Sequence, residues 1–316
     1  MSTHHTLHSS PETCHWGFFD AALKPVLTVK SGDFVSIETV SGSPEVLPRP
    51  PLEVLPEHRA IHRALTPAFG GGHILTGPVA VDGARPGDVL EVRIHAINFR
   101  QSWGWTRVVP LRGALPEDFP ERHLWHTAID RQRGIGTTPW GQEIPLAPFF
   151  GILAVAPPPI YGPVTSVVPR EFGGNIDCKE LTVGSILRLP IWTEGALFST
   201  GDGHGIQGDG EVCLTALETA LTGTFELTLR RDMRLTMPRA ETPTHHITFG
   251  FDEDLDDAAK QALRDMIKLL GEISGLSPPD AYMLSSLGVD LHVTQLVDGN
   301  KGVHAMLPKS LLRKTT

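Results

Sequence analysis

The stretch ARPGDVLEVRIHA, residues 84–96, places a tight turn directly before a β-strand. Proline and glycine at positions 86 and 87 are typical turn residues, and the apolar positions 90, 92, 94 and 96 alternate with Glu91, Arg93 and His95. A period of two residues is that of a strand with one buried face and one outward face. We therefore predict a half-buried strand here, with the three polar side chains on its outer face.

The same design of a glycine turn followed by a strand occurs twice more, as VKSGDFVSIE at residues 29–38 and LTVGSILRL at residues 181–189. FELTLR at residues 225–230 repeats the alternation of apolar and polar positions. The 32 glycines and 27 prolines punctuate short β-branched runs along the whole chain instead of collecting in one linker. These features predict a mainly β protein with many short strands, arranged in antiparallel sheets.

One region near the C-terminus departs from the β pattern. After the acidic residues 252–254, apolar residues recur at steps of three and four over residues 255–273, which predicts an amphipathic helix. The acidic start and Lys268 near the other end both suit the helix dipole. A shorter helix is predicted around residues 279–287 and a final strand at 289–297, so this region forms a small α+β appendage.

Composition excludes several classes of protein. Acidic residues outnumber basic ones by 36 to 27, and the formal net charge of −9 disfavours a nucleic-acid partner. No stretch approaches the roughly 18 uninterrupted apolar residues of a membrane-spanning helix. Residues 1–12 lack the pattern of a secretory signal, and three widely spaced cysteines fit reduced thiols. We therefore expect a cytoplasmic protein without a membrane partner.

Two glycine-rich stretches carry the most unusual chemistry: EFGGNID at residues 171–177 and GDGHGIQGDGE at residues 201–211. Glycine lets the backbone approach a ligand closely or adopt a positive φ, so such a run can gather several polar side chains around one centre. A solvent-exposed hairpin whose acidic residues cap turns explains the same spacing equally well. The residue types therefore decide between the two interpretations.

The second stretch has the spacing of a compact metal site. Asp202 and His204 are two residues apart, so they project from one face of an extended segment. A tight turn at residues 205–208 could return Glu211 beside them. Together with Asp177, these side chains offer the mixed nitrogen and oxygen donors that zinc or a similar divalent ion accepts.

Hydrolysis of an amide at such a centre needs a carboxylate that moves a proton to the leaving nitrogen, and donors for the oxyanion. The two stretches contain these chemical types: Glu211 or Asp209 as the carboxylate, and Asn175 and Gln207 as donors. His73, which follows three glycines, is a further polar candidate, although a histidine in such a position is more often a turn residue. Neither the calcium-loop spacing nor a phosphate-binding loop is present, which disfavours nucleotide-dependent chemistry.

These segments resemble the acetamidase/formamidase family, whose members carry a Gly-Gly-Asn-x-Asp element and a later Gly-Asp-x-His-x-x-Gln-Gly-Asp-Gly-Glu element. Both elements stand whole here, at residues 173–177 and 201–211. Three shorter family segments are also matched: Thr-Gly-Pro at 76–78, Gly-Ala-x-Pro-Gly-Asp at 83–88 and Pro-Phe-x-Gly at 148–151. An ordered match over most of the chain is more specific than any single glycine motif.

The resemblance implies an antiparallel β-sandwich of jelly-roll-like type with a β-barrel-like part, and hydrolysis of short aliphatic amides to a carboxylate and ammonia. A chain of 316 residues exceeds the usual size of a single core, so we expect more than one domain. The expected divisions are a sandwich-like domain at 1–150, a catalytic domain at 151–245 and the α+β appendage at 246–316. A homo-oligomer that binds a small amide is also expected.

Carried over position by position, the resemblance makes His73, Asp177, His204 and Glu211 the polar centre. We assign the expected roles as follows: His73, Asp177, His204 and Asp202 as metal ligands, and Glu211, Asp209, Asn175 and Gln207 as the groups of the catalytic step. Zinc is favoured, with calcium, magnesium and manganese as alternatives for an oxygen-rich site. Two departures from the family pattern, Ile74 in place of proline and Phe-Phe-Asp at residues 18–20 in place of a Trp-Asp pair, concern the entrance and leave the central elements intact.

Two other interpretations remain open from the sequence. Cys178 could be a nucleophile activated by His204, as in thiol-dependent amidases, although a small buried apolar residue is the simpler role for it. The chain could also be a non-catalytic β-sandwich that binds a small ligand, because a fold alone does not assign a function. The density of proton-transfer groups favours an enzyme over a binding module.

Overall fold

The computed structural model describes residues 2–312, and most of its regular structure is β. Twenty-two strands occur in this order: β1 (His4–Leu7), β2 (Cys14–Trp16), β3 (Phe18–Phe19), β4 (Leu27–Val29), β5 (Asp33–Glu38), β6 (Ile74–Val81), β7 (Val89–Phe99), β8 (Trp103–Val108), β9 (His123–Asp130), β10 (Ile135–Thr137), β11 (Glu143–Pro145), β12 (Phe149–Ala154), β13 (Val164–Thr165), β14 (Gly173–Asn175), β15 (Ile186–Pro190), β16 (Phe198–His204), β17 (Glu218–Thr219), β18 (Leu221–Arg230), β19 (Arg239–Glu241), β20 (His245–Asp252), β21 (Asp290–Gln295) and β22 (Lys301–Pro308). Three α-helices accompany them: α1 (Pro56–Ala64), α2 (Leu255–Ser274) and α3 (Pro278–Gly288).

Two large sheets account for nearly all of these strands. The first has nine strands in the order β1-β5-β18-β7-β15-β19-β20-β22-β21. The second has eleven, with the path β11-β10-β9-β8-β17-β16-β12-β14 and with β6 joining β16 to β2 and β4. Pairing is antiparallel except between β1 and β5 and between β4 and β6. Among the described strands neither sheet closes into a barrel. The prediction of a mainly β fold with antiparallel sheets is confirmed.

The main core lies where apolar faces of the two sheets meet. Phe225 of the first sheet contacts Phe150 and Phe198 of the second, with ring centroids 5.4 and 5.7 Å apart in edge-on geometry. All three rings are fully buried, and each contributes about 1.5–3 kcal/mol by leaving water. Gly223 is required beside them, because a Cβ there would overlap the rings of Phe150 and Phe225. This packing fixes how β12 and β16 of the second sheet sit against the first.

The strand predicted from residues 84–96 is β7, and one detail of that prediction is wrong. His95 is exposed, as expected for the outer face. Glu91 was expected to point outward into solvent, but it is only 9% exposed. It accepts hydrogen bonds from Arg188 at 2.8 Å and from Arg230 at 2.9 Å. Neighbouring strands supply these arginines, so the outer face of the sheet is covered locally by ion pairs that a single-strand pattern does not reveal.

The appendage at the C-terminal end follows the sequence prediction. Asp254 caps α2 by accepting hydrogen bonds from the main-chain N–H groups of Asp256 and Asp257, and Gly275 ends it in the left-handed region. The apolar face of α2 packs on β20 and β22, where Gly250 gives the helix its close approach, since a Cβ there would overlap the Ala258 carbonyl. Helix α3 follows, and β21 then returns to the edge of the first sheet.

Within residues 2–312, none of the helices has both the length and the apolar character that crossing a bilayer requires.

Candidate functional site

The first residues of the site belong to β16, an interior strand of the second sheet. All of its residues are buried, and Asp202 and His204 lie two positions apart at its end. His204 is in register with Glu218 of β17. Its Nε2 atom lies 3.2 Å from Asp202 Oδ2 and 3.1 Å from Glu218 Oε1. The sheet therefore places one imidazole between two carboxylates, one of which comes from a separate strand.

Gln207 fixes the orientation of the His204 ring. Its side-chain nitrogen donates hydrogen bonds to the main-chain oxygens of Asp177, at 2.8 Å, and Thr294, at 3.2 Å. Its Oε1 atom must then accept a hydrogen bond from His204 Nδ1, 3.0 Å away. The proton therefore sits on Nδ1, and Nε2 faces the carboxylates without the geometry of a hydrogen bond to either. With Nδ1 committed to Gln207, Nε2 is the ring nitrogen that could bind a metal ion once it has lost its proton.

A second group of carboxyl groups adjoins His204 on its other side. Donor atoms of Asp177, His204 and Glu211 lie within 4.8 Å of one another, and Asp177 Oδ1 is 4.0 Å from His204 Nε2. The turn after β16 thus brings Glu211 back to the cluster. Asp177 and Glu211 have positive φ values of 53° and 45°, which non-glycine residues rarely adopt. Asp202 on β16 shares this conformation with a φ of 55°, so three acidic residues of the cluster have a strained backbone.

Strand β12 makes room for these side chains at Gly151, the last residue of the Pro-Phe-x-Gly segment. A Cβ at this position would overlap Asp177 Oδ1 and Asp202 Oδ2 and would touch the His204 ring. A glycine here is therefore a steric requirement of the cluster. It allows carboxylates from two separate segments to face the same small space.

Burial and mutual repulsion dominate the electrostatics of the carboxyl groups. Burial, followed by the charge of Glu211, raises the pKa of Asp177 well above its usual range. Burial, followed by the charge of Asp298, does the same to the pKa of Glu211. Burial also raises the pKa of Asp298 to about 7. Because several ionised carboxylates cannot share a dry space, protons or a cation must neutralise them.

The groups around Asp202 behave differently. Burial acts against an ionised Asp202, but the neighbouring His73 and His204 outweigh it and hold the pKa of Asp202 below its usual range. Burial likewise acts against a charged His204, but Glu218 and Asp202 raise the pKa of His204 well above its usual value. Asp202 is therefore the carboxylate of the cluster that most strongly favours its ionised form.

His73 lies at the edge of the cluster. Its Nε2 atom is 3.8 Å from Asp202 Oδ2, and its Nδ1 atom is 3.2 Å from Ser166 Oγ, which also accepts a hydrogen bond from the His73 main-chain N–H at 3.0 Å. Gly72 allows this approach, because it has a φ of 96° and a Cβ on it would overlap Ser166 Oγ. The glycine run before His73 therefore sets the position of its ring beside Asp202.

Asn175 and Asp209, the remaining residues predicted from the sequence, lie in two different places. Asn175 is buried at the cluster, and its Oδ1 atom has no hydrogen-bond partner within residues 2–312. Asp209 instead points to the surface side of its turn, where Lys179 and His292 each approach one of its oxygens at 2.9 Å. The structure therefore brings Asn175 to the cluster and holds Asp209 in a separate ion-pair group.

Sequence reasoning missed two members of the cluster, Glu218 and Asp298. Glu218 stands inside the apolar run of residues 216–221, and a lone acid in such a run is a signal for a buried functional carboxylate. Its register opposite His204 depends on pairing between strands, which the sequence does not display. Asp298 precedes glycine and asparagine, so its local pattern is that of an ordinary turn residue.

A cavity of about 650 Å³ opens directly above the cluster. Its floor is the cluster: Asn175, Asp202, Glu211, Glu218 and Asp298 line the cavity, and the other members, His204 and Asp177, are fully buried. The walls come from the turn before β6, from the segment before α1, and from β8 with the loop after it. A small molecule in this cavity would therefore reach the carboxylates without any opening of the sheet.

The residues of the floor fit a divalent metal ion. The distances from His204 Nε2 to its three carboxylate neighbours run from 3.1 to 4.0 Å. Two donors that each lie about 2.1 Å from one ion can be no more than about 4.2 Å apart, so these distances suit a shared ion. His204 Nε2 and both carboxylate oxygens of Asp177 are buried without hydrogen-bond partners among the described residues. Mixed imidazole and carboxylate donors are the set that zinc and similar ions accept.

Cys178 is adjacent to Asp177 in sequence but has the character of a core residue. Its side chain is fully buried within the main core. Burial, the leading cause, raises the pKa of its thiol far above the ordinary value. A nucleophilic cysteine needs the opposite shift and access to a substrate. All three cysteines are free thiols.

Comparison with known proteins gives consistent matches over nearly the whole chain. The model of the acetamidase/formamidase family matches residues 3–160 and 163–313. The acetamidase of Mycolicibacterium smegmatis is 29% identical over 44% of this chain and 49% of its own length, so the match spans about half of that relative. The formamidase of Methylophilus methylotrophus is 26% identical over 72% of this chain and 73% of its own. The crystal structure of an acetamidase from Bacillus halodurans superposes with a TM-score of 0.84 at 30% identity, covering 97% of this chain and 98% of that one.

Proposed function

The chain belongs to the acetamidase/formamidase family, and from that membership we propose that it is a metal-dependent hydrolase of small amides. The observation that carries the proposal is the buried cluster beneath the cavity, in which His204 faces several carboxylates and donor atoms lack hydrogen-bond partners. The names of the relatives, acetamidase and formamidase, support amides as the substrate class. The reaction is the addition of water to the amide carbon, with cleavage of the carbon–nitrogen bond and release of ammonia and a carboxylate.

His204 and Asp202 would hold the ion. Glu218 and Asp177 each have a carboxylate oxygen within 4.0 Å of His204 Nε2. His73 Nε2 lies 3.8 Å from Asp202 Oδ2. Zinc is favoured by the imidazole, while calcium, magnesium and manganese also suit a site with this many carboxylates. The hydrogen bond from His204 Nδ1 to Gln207 supports this arrangement, because it directs the other ring nitrogen at the carboxylates. Gln207 is accordingly a positioning residue in the proposal.

When bound, a divalent ion would polarise the amide carbonyl and make a nearby water more acidic. Glu211, which lines the cavity, accepts the proton of the attacking water and delivers it to the leaving nitrogen. Burial and the charge of Asp298 raise the pKa of Glu211, so its basicity is greater than that of an exposed carboxylate. The amide of Asn175 supplies a donor for the oxygen that develops negative charge. The surrounding β-strands hold these groups in a fixed relation to one another.

The experiment is a comparison of ammonia release from formamide, acetamide and propionamide by three preparations: untreated protein, protein stripped with a chelator, and stripped protein reconstituted with zinc, manganese, magnesium or calcium. We expect hydrolysis by the untreated protein, loss on stripping and recovery with at least one ion. Hydrolysis that persists after complete removal of metal would contradict the metal-dependent mechanism. Absence of amide hydrolysis in every preparation would contradict the function and would favour a binding protein.

The proposal also covers the oligomeric state of the protein and its cellular compartment. We propose a cytoplasmic homo-oligomer, in keeping with three free thiols, which suit a reducing compartment. Large apolar side chains that remain exposed, among them Trp140, Tyr161 and Leu287, offer surface for a symmetric contact. Light scattering should give a mass that is a multiple of the chain mass, and a monomer at high concentration would contradict the expectation.

A further inference from the structure

The wall of the cavity formed by β8 carries an arginine close to the carboxylate floor. Trp105 of β8 is in register with Glu218 of the floor, and Arg107 follows Trp105 by two residues. Residues two apart in a strand lie on one face and about 7 Å apart along it. Trp105, Arg107 and Glu218 all line the cavity. The strand therefore places Arg107 about 7 Å along β8 from the position opposite Glu218, on the same wall of the cavity.

Arg107 lacks the close acidic partners that Arg188 and Arg239 have. Within residues 2–312, Arg188 contacts Glu91 and Glu241 and Arg239 contacts Asp265 and Glu272, whereas no carboxylate lies within 4.0 Å of Arg107. Its Nε atom is buried without a hydrogen-bond partner in the described part of the chain. Arginine stays protonated in proteins, and a buried cation is costly when it is unpaired. Glu218 and Glu45 act on its charge only from beyond 4.0 Å, so what the guanidinium lacks is an anion in direct contact.

The surroundings hold the Arg107 guanidinium in place. Its Cζ atom lies 5.2 Å from the centroid of the Trp105 ring, which is cation–π geometry. Arg112, in the loop after β8, lines the same cavity, whereas Arg122 there already donates a hydrogen bond to Glu45 at 2.6 Å. A guanidinium that is oriented by an aromatic ring and makes no direct ion pair is suited to bidentate binding of a carboxylate.

We propose that the substrate is a short amide that carries a carboxylate at its other end, such as the monoamide of a dicarboxylic acid with three to five carbons. This inference rests on the proposed function, and it names the substrate class. The amide lies over the floor, and the carboxylate binds Arg107, with Arg112 as a second cation near it. Water adds to the amide carbon, the carbon–nitrogen bond breaks, and the products are the dicarboxylate and ammonia. A cavity of about 650 Å³ has room for such a chain, which acetamide would leave largely unfilled.

The test compares succinamate with butyramide, a neutral amide of equal chain length, in the wild type and in three variants. Arg107→Gln removes the cation, Arg107→Lys keeps the charge, and Arg264→Gln removes a charge from the exposed face of α2, outside the cavity. We expect the wild type to have the higher kcat/KM for succinamate. The ratio of the two kcat/KM values should fall by roughly ten- to hundredfold in Arg107→Gln, mainly through KM, because a hydrogen-bonded charge pair is lost. Arg107→Lys should keep part of the ratio, and Arg264→Gln should keep all of it.

Binding of succinate, followed by calorimetry, provides a measurement that does not depend on turnover. Succinate should bind the wild type at least tenfold more tightly than it binds Arg107→Gln, with both proteins shown to be folded by circular dichroism. Equal ratios or equal binding in the two proteins would overturn the inference while leaving amide hydrolysis intact. If no amide is hydrolysed, the proposed function fails, and the succinate measurement still decides whether Arg107 binds an anion.

Discussion

The floor and the β8 wall of the cavity are built in opposite ways. The floor consists of buried groups from interior strands and strained turns, and its geometry depends on strand register and on Gly151. The wall consists of Arg107 and Trp105 on a strand, followed by an exposed loop that carries Arg112. A change in the floor would disturb several carboxyl groups at once, whereas a change in the wall alters one contact. The proposed function accordingly places the reaction at the floor, and the proposed substrate class places selection among amides at the wall.

The largest effect is expected at the centre of the floor. His204→Ala removes the imidazole that faces Asp202, Glu218 and Asp177. A lost ion removes several kcal/mol of transition-state stabilisation, and each 1.4 kcal/mol is about tenfold in rate. Amide hydrolysis should therefore fall by about a thousandfold or more, together with the metal content measured by mass spectrometry. A variant that keeps both would remove His204 from the site.

Glu211→Gln separates proton transfer from metal binding within the floor. It keeps the shape of the side chain and removes its basicity, so turnover should fall by roughly a hundredfold or more while metal and fold persist. Loss of metal in this variant would instead identify Glu211 as a ligand. Asp209→Asn gives the matched comparison, because this carboxyl group is 35% exposed and paired with Lys179. A larger loss in Asp209→Asn than in Glu211→Gln would reverse the assignment.

Gln207→Leu tests a contact that lies behind the floor. The substitution removes the acceptor for His204 Nδ1 and the donors to two main-chain oxygens. Metal affinity or activity should fall by about ten- to hundredfold, the usual range when a group that orients a ligand is lost. Titration of stripped protein with metal would measure the change. An unaltered affinity and rate would show that the His204 ring is held by other contacts.

The smallest effect is expected from Cys178→Ala, a change beside the floor that removes no charge. The thiol is fully buried in the main core, so the free energy of unfolding should fall by about 1 kcal/mol. The rate of amide hydrolysis should stay within about twofold of the wild type. Abolished activity in a variant that remains folded would restore the cysteine-dependent mechanism and would break the distinction between floor and core.

Local patterns predicted much of this molecule, and contacts between strands explain most of what they missed. Helix α2 was predictable because its cap at Asp254 and its apolar period both belong to one segment. The approach of Asp202 to His204 was predictable for the same reason, since both lie on β16. Glu218 enters the site through the pairing of β17 with β16, and Arg107 reaches the cavity because β8 pairs with β17. Such pairings depend on the whole sheet, so a single segment does not display them.

In the proposed function, the floor binds a divalent ion on which amide hydrolysis depends. This dependence is tested most directly by measuring metal content and ammonia release on the same samples, while stripped protein is titrated with zinc. Activity should rise in proportion to bound metal and reach its maximum when the site on each chain is filled, whereas His204→Ala should bind no equivalent ion. Full amide hydrolysis by wild-type protein that contains no measurable metal would contradict it.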